Sequence, residues 1–496
     1  MLEHFLSGLA TALQPAHFFS IAFGVTWGII GGATPGITGS IAMALLLPFT
    51  YGMEMMHALP MLAAVYVGSE YGGSIPAILI KTPGTASAAA AVMDGYAMHL
   101  RGEGGKALFV SLISAFIGGI ISVLLLIIFV IPLARFGLMF GPSQYALLGI
   151  MGLTVVSSIA GGNIFKGLLS AIFGLLLATV GLDPLAGTPR FTFGYYKLMD
   201  GLEIIPIIVG LFAIGEVLAQ VLSPGNTSLN IKEKVKLQFP TKKEWKQIVP
   251  AACSGGFIGT FLGALPGPGS TASAFMAYVQ AKKIFRNTEN FGKGDIRGVA
   301  APESANNACP AGTLVPLLAL GVPGSNAAAI LLAGFSLHGI AVGPRLFNVT
   351  PQIPYTLMAS MMVAQFILVA IGLLLIKPAV KITSVSPKYM AIAILMFCLA
   401  GAFAVTNDSF SMVLACIFGI IGFLMKKFGF SAPAAVLAFV LGRMIENNIR
   451  RALIISFGSL DIFFTGTINI ILVSIIVITL LSPVFGKIRI LMKKQR

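Results

Sequence analysis

Four Pro-Gly pairs are the places in this chain where the backbone itself is equipped to do chemistry: Pro35-Gly36, Pro83-Gly84, Pro266-Gly267 and Pro323-Gly324. Each interrupts an apolar run and is followed by small or hydroxyl residues, as in Ile37-Thr38-Gly39-Ser40, Thr85-Ala86-Ser87, Pro268-Gly269-Ser270-Thr271 and Ser325-Asn326. Proline removes a helix donor, and glycine permits the turn that follows. A helix that restarts beyond such a break presents free N–H groups and a positive dipole end, for which a carboxylate is a natural ligand. Each helix end contributes about 0.3–1 kcal/mol. Several converging ends, joined by hydroxyl hydrogen bonds, would hold a polyanion without a buried arginine, and the breaks contain none.

Polar residues near the breaks complete the candidate set. Lys81, two residues before Pro83, either meets a substrate carboxylate or snorkels to the membrane interface. Asp94, in Met93-Asp94-Gly95-Tyr96, and Glu303, just ahead of Asn306 and Asn307, are candidates to bind a coupling cation or proton. An interfacial turn is the alternative for Asp94. The two asparagines offer amide oxygens suited to sodium, or donors suited to a carboxylate. An ionised side chain at the centre of a membrane helix costs about 2.5–3.5 kcal/mol on insertion scales, so such residues need a reason.

The elements that must position these groups are transmembrane helices. Of 496 residues, 57% are hydrophobic and only 10% charged, with a mean hydropathy of +0.94. Soluble proteins carry about 25% charged residues, so a soluble fold is excluded. Residues 4–53, 107–134, 136–165, 247–281, 304–344, 346–376 and 462–486 hold no Asp, Glu, Lys or Arg. One span needs about 20 residues, so residues 4–53 must turn back within or near the membrane, at Thr34-Pro35-Gly36. The fold expected is an all-α polytopic membrane protein with about 12 spans, several of them broken or re-entrant. The opening residues, M-L-E-H-F-L, lack the positive region of a signal peptide, so the first apolar stretch is expected to stay in the mature protein.

Glycine spacing adds an internal repeat. Gly24, Gly28, Gly32 and Gly36 match Gly255, Gly259, Gly263 and Gly267 at an offset of 231. Pro76 and Pro83 match Pro316 and Pro323 at 240, and Pro142 and Gly174 match Pro387 and Gly419 at 245. Two homologous halves, 1–223 and 247–486, therefore flank a basic connector, 224–246, with a basic tail at 487–496. The chain has 32 Lys and Arg against 17 Asp and Glu, a formal charge of +15. The largest basic clusters, 232–246 and 282–297, read as cytoplasmic loops by the positive-inside rule, and nucleic acid drops out as a partner. The loop Tyr51 to Met61, equivalent to 282–297, has no lysine or arginine, which implies that the halves are inverted in the membrane.

Enzyme signatures are missing. Neither H-E-x-x-H nor G-x-S-x-G occurs, and without G-x-x-x-x-G-K-[ST] the chain is not expected to hydrolyse ATP. Cysteines 253, 309, 398 and 416 show no metal-ligand spacing. No cofactor or metal is expected beyond a coupling Na⁺ or H⁺. Alternating-access uptake of a small carboxylate is the leading expectation, with a passive channel or a non-transporting membrane receptor left open.

Segments 31–48 (G-G-A-T-P-G-I-T-G-S-I-A-M-A-L-L-L-P), 71–90 with Met93-Asp94-Gly95-Tyr96, and 298–308 (G-V-A-A-P-E-S-A-N-N-A) running into L-A-L-G-V-P-G-S make the chain resemble the large permease subunit of the tripartite tricarboxylate transporters, the TctA family. The resemblance covers essentially the whole chain. It implies a bacterial inner-membrane secondary transporter that works with a small, TctB-like membrane subunit and a periplasmic, TctC-like solute-binding protein. It also implies citrate-like tricarboxylates or other organic carboxylates as substrates, driven by a sodium or proton gradient.

Overall fold

In the computed structural model, helix succeeds helix along the chain, and the β structure among the described residues is one two-residue hairpin pairing Gly181–Leu182 with Pro189–Arg190. The described residues are 2–34, 37–159, 164–183, 186–222, 236–265, 269–286, 288–376, 378 and 387–494. Most of the connector therefore lies outside them. Six helices are long and apolar enough to cross a membrane: Pro15–Ala33, His99–Gly137, Ile204–Leu222, Lys242–Ala264, Gln352–Leu375 and Ser409–Lys427. Shorter apolar helices include Ile164–Ala178, Asn326–Leu337 and Met390–Val405. This is a multi-pass, all-α membrane protein. Its outer surface exposes large apolar side chains such as Phe19, Phe129, Phe165, Phe261 and Phe366, as a lipid-facing surface requires.

Two helices absent from that set, Met55–Ile80 and Ile296–Leu320, form the interior. Every residue from Ala58 to Leu79 and from Ile296 to Ala319 is buried. Freed from facing lipid, they tolerate Glu70 and Glu303, and five internal prolines between them. The glycine ladders explain how their neighbours approach. A Cβ on Gly24, Gly28 or Gly32 would lie 2.3–2.4 Å from the carbonyl oxygens of Met61, Val65 and Ser69. On Gly255, Gly259 or Gly263 it would lie 2.2–2.9 Å from those of Ala301, Ala305 and Cys309. These partners differ by the same offset of 240 read from the prolines, so the repeat in spacing recurs as a repeat in packing.

The two interior helices run antiparallel, because Ser74 Oγ donates to Glu303 while Asn306 Nδ2 donates to the Glu70 carbonyl. A second pair, Gly104–Gly137 and Gln352–Leu375, is antiparallel as well, with Gly119 against Gln365 and Gly372 against Leu112. The broken hairpin Lys242–Ile284 has both ends fastened to one segment. Lys106 Nζ reaches Glu244 at 3.0 Å near its start, and Arg101 donates to the Gly294 carbonyl at 2.6 Å just beyond its end. The basic loops thus gather at one end of the bundle.

Candidate functional site

The described residues flanking the breaks are held by local chemistry. The Pro15–Ala33 helix stops before Thr34, and a new helix starts at Gly39, with Thr38 Oγ1 accepting from Ile41 N as its cap. Trp27 Nε1 donates to the Ala42 carbonyl at 3.0 Å and pins the two arms together. Ser325 caps the Asn326–Leu337 helix in the same way, accepting from Ala328 N. The Met55–Ile80 and Ile296–Leu320 helices end in matching left-handed caps, Lys81 (φ 59°) and Gly321 (φ 76°). Beyond them, Thr82 N and Val322 N donate back to the carbonyls of Pro76 and Pro316. Gly84 and Gly324 then press on the carbonyls of Gly32 and Gly263, where a Cβ would stand 2.0 and 2.6 Å away. In both halves the second break is thus wedged against the helix that carries the glycine ladder.

Residues following all four breaks line one cavity of about 400 Å³, within the range usual for small-molecule sites. From the sequence-derived set they are Thr38, Thr85, Ser87, Gly269, Ser270, Thr271, Gly324, Ser325 and Asn326. The first turns of the helices starting at Gly39, Gly269 and Asn326 open onto it, bringing N–H groups without intrahelical partners. No lysine, arginine or histidine lines it among the described residues. Helix ends and hydroxyls are therefore the electropositive elements of its wall.

Other members of the set lie elsewhere. Pro35, Gly36, Pro266 and Gly267 fall outside the described residues. Pro83 and Pro323 shape their turns without lining the cavity. Lys81 is exposed, its ammonium 5.9 Å from the Tyr96 ring centroid, and stands apart from the cavity wall. Asp94 is fully buried, but its carboxylate is engaged by the loop beyond Ile284. Gly292, Gly294 and Asp295 donate backbone N–H groups to it at 2.7–2.9 Å, and the Tyr278 hydroxyl donates at 2.9 Å. That arrangement clamps the segment carrying Asp94 to this loop. Glu303 accepts from Ser74 and Ser111 at 2.7 and 2.6 Å, away from the cavity wall. The Asn307 amide and the Asn306 side-chain oxygen are buried without a hydrogen-bond partner.

The sequence reading missed Glu70 and Tyr66. Glu70 Oε2 accepts from Ser87 Oγ and Oε1 from Ser270 Oγ, each at 2.9 Å, so serines from two different breaks meet on one carboxylate. The Tyr66 hydroxyl pairs with Ser325 Oγ at 3.0 Å. One signal was present: Glu70 is the sole charged residue between Met55 and Ile80.

The model of the tripartite tricarboxylate transporter TctA family matches residues 18–437. The chain belongs to that family. A protein described as an uncharacterized 52.8 kDa protein in the TAR-I ttuC' 3' region of Agrobacterium vitis is 35% identical over 491 residues, covering 98% of each chain. A second, described as an uncharacterized protein in the TAR-II ttuC' 3' region of the same organism, is 34% identical over 231 residues, covering 47% of this chain and 96% of the relative. No solved structure matches the chain. As a TctA-family protein it is a membrane component of tricarboxylate transport, in a family of transporters and not of enzymes. The family's tripartite architecture implies further subunits and a small-molecule substrate.

Proposed function

We propose that this chain is the substrate-translocating subunit of a secondary transporter that imports tricarboxylates or related organic carboxylates by alternating access. The convergence of all four post-break segments on one cavity carries this reading, because paired interrupted helices mark transporter substrate sites. The carboxylate sits against the first turns at Gly39, Gly269 and Asn326 and is bonded by the hydroxyls of Thr38, Thr85, Ser87, Ser270, Thr271 and Ser325. Antiparallel packing of the repeat-related helices supports two inverted halves, 1–223 and 247–486, with about 12 membrane crossings in all once the shorter and interrupted helices are counted. Rocking of one half against the other would expose the cavity alternately.

A sodium or proton gradient drives uptake, with Glu303, Asn306 and Asn307 as candidates to hold the coupling ion. Tyr71 and Ser114 each lie one turn from a serine bonded to Glu303, Asn307 lies one turn from Glu303 itself, and all three are buried with unpartnered polar atoms. The protein works in a bacterial inner membrane, basic loops inward, with a small membrane subunit and a periplasmic solute-binding protein. In proteoliposomes containing these partners, labelled citrate should accumulate only under an imposed ion gradient. Equilibration without accumulation would make the chain a passive conduit. Capture of the loaded binding protein with no flux would make it a receptor.

A further inference from the structure

The carboxylate wall of the cavity raises a question that the substrate reading leaves open. Glu70 lines the same space that is to receive a carboxylate. It already takes the two serine hydroxyls, one from the break at Pro83-Gly84 and one from the break at Pro266-Gly267, that a bound carboxylate needs. At the equivalent position of the second half, 240 residues on, stands Pro310, so the cavity has one such group and not a symmetric pair.

No counter-charge is at hand. The titratable groups facing Glu70 are Tyr66, one turn earlier on its own helix, and Cys309 and Glu303 on the Ile296–Leu320 helix. The two segments hydrogen-bonded to its carboxylate present serines, Ser87 and Ser270. Their nearest charged residues are Lys81, six positions before Ser87 but with its ammonium over Tyr96 and off the cavity wall, Asp94, seven beyond Ser87, and Lys282, twelve beyond Ser270. Two ionised carboxylates sharing this space would repel each other, so one of them must be neutral.

We propose that Glu70 takes up a proton when a carboxylate enters the cavity, so that each carboxylate carried inward is accompanied by that proton. This rests on the cavity being the carboxylate site. Hydroxyl chemistry supplies the exchange, because a serine offers one donor and two acceptor positions. With the cavity free of substrate, Ser87 and Ser270 donate to ionised Glu70. On protonation, Glu70 donates its O–H to one serine oxygen, and both serine hydrogens turn to the incoming carboxylate. The proton enters from the outer medium and leaves to the cytoplasm when the substrate departs and Glu70 regains its serines. Thr85 Oγ1, 3.0 Å from Ser87 Oγ, extends the exchanging network along the wall.

The test uses the chain with its partner subunits in sodium-free proteoliposomes, [¹⁴C]citrate as probe and a pH-sensitive dye in the lumen. Wild type should acidify the lumen as citrate enters and accumulate citrate on an inward proton gradient. Glu70→Gln, a permanently neutral mimic, should still exchange internal for external citrate, while gradient-driven accumulation falls at least tenfold. If Gln at this position also abolishes exchange, Glu70→Asp decides. Proton-driven accumulation with a displaced pH profile sustains the proposal, and a folded Glu70→Asp protein with no accumulation reduces Glu70 to a brace and overturns it. Undiminished proton-driven accumulation by Glu70→Gln overturns it as well, as does a wild type that moves citrate only with sodium. A wild type that moves no citrate under any gradient defeats the carboxylate reading itself, a result distinct from all of these.

Discussion

Lys81 and Gly321 occupy equivalent left-handed caps, and only one of them is glycine. A non-glycine residue in that conformation costs roughly 1–2 kcal/mol, of which a glycine substitution recovers part, because glycine also loses more freedom on folding. Lys81→Gly should therefore stabilise the protein by up to about 1 kcal/mol, read as a higher melting temperature in detergent. Since the Lys81 ammonium lies over Tyr96 and off the cavity wall, citrate uptake should stay within twofold of wild type. A collapse of uptake in a well-folded Lys81→Gly protein would return Lys81 to the substrate.

Among the elements, the glycine ladders bring the outer helix of each half close enough for backbone to touch backbone. A Cβ added at Gly28 or Gly259 would lie 2.3 and 2.2 Å from a carbonyl oxygen held in an interior helix that is buried along nearly its full length. Neither side has room to yield, so Gly28→Ala and Gly259→Ala should each destabilise by about 1–3 kcal/mol. Gly52→Ala, where nothing lies within 4 Å, should be neutral. Melting curves of the three variants decide the matter. These ladders were legible in the sequence because glycine and proline act through the backbone, at fixed helical spacing, and the repeat printed that spacing twice. Side-chain partnerships carry no such signature. The clamp of Asp94 on the loop at Gly292 and Gly294 spans about two hundred residues and leaves no local trace in the sequence. Glu70 was overlooked for the same reason: its two serines, at 87 and 270, become its neighbours only after the breaks fold inward.

For the whole molecule the decisive question is orientation, since inverted and parallel halves, related by different axes, alternate access in different ways. Met55–Ile80 crosses Ile296–Leu320 antiparallel, a pair matched by the 240-residue offset, and Gly104–Gly137 crosses Gln352–Leu375 antiparallel as well. Helices related by a pseudo-two-fold axis in the membrane plane must do this, while a repeat related by an axis along the membrane normal keeps equivalent helices pointing the same way. The loop charges agree, because 282–297 is basic and its counterpart from Tyr51 to Met61 has no lysine or arginine. Gly52 and Lys293 are both exposed, one in each of these loops. In a background with Cys253, Cys309, Cys398 and Cys416 replaced, Gly52→Cys should react with a membrane-impermeant maleimide only in right-side-out vesicles, and Lys293→Cys only in inside-out ones. Labelling of both from one side would remove the inversion. The halves would then be parallel repeats related by an axis along the membrane normal, and access would alternate by their rocking about the cavity, without the exchange of roles between inverted halves.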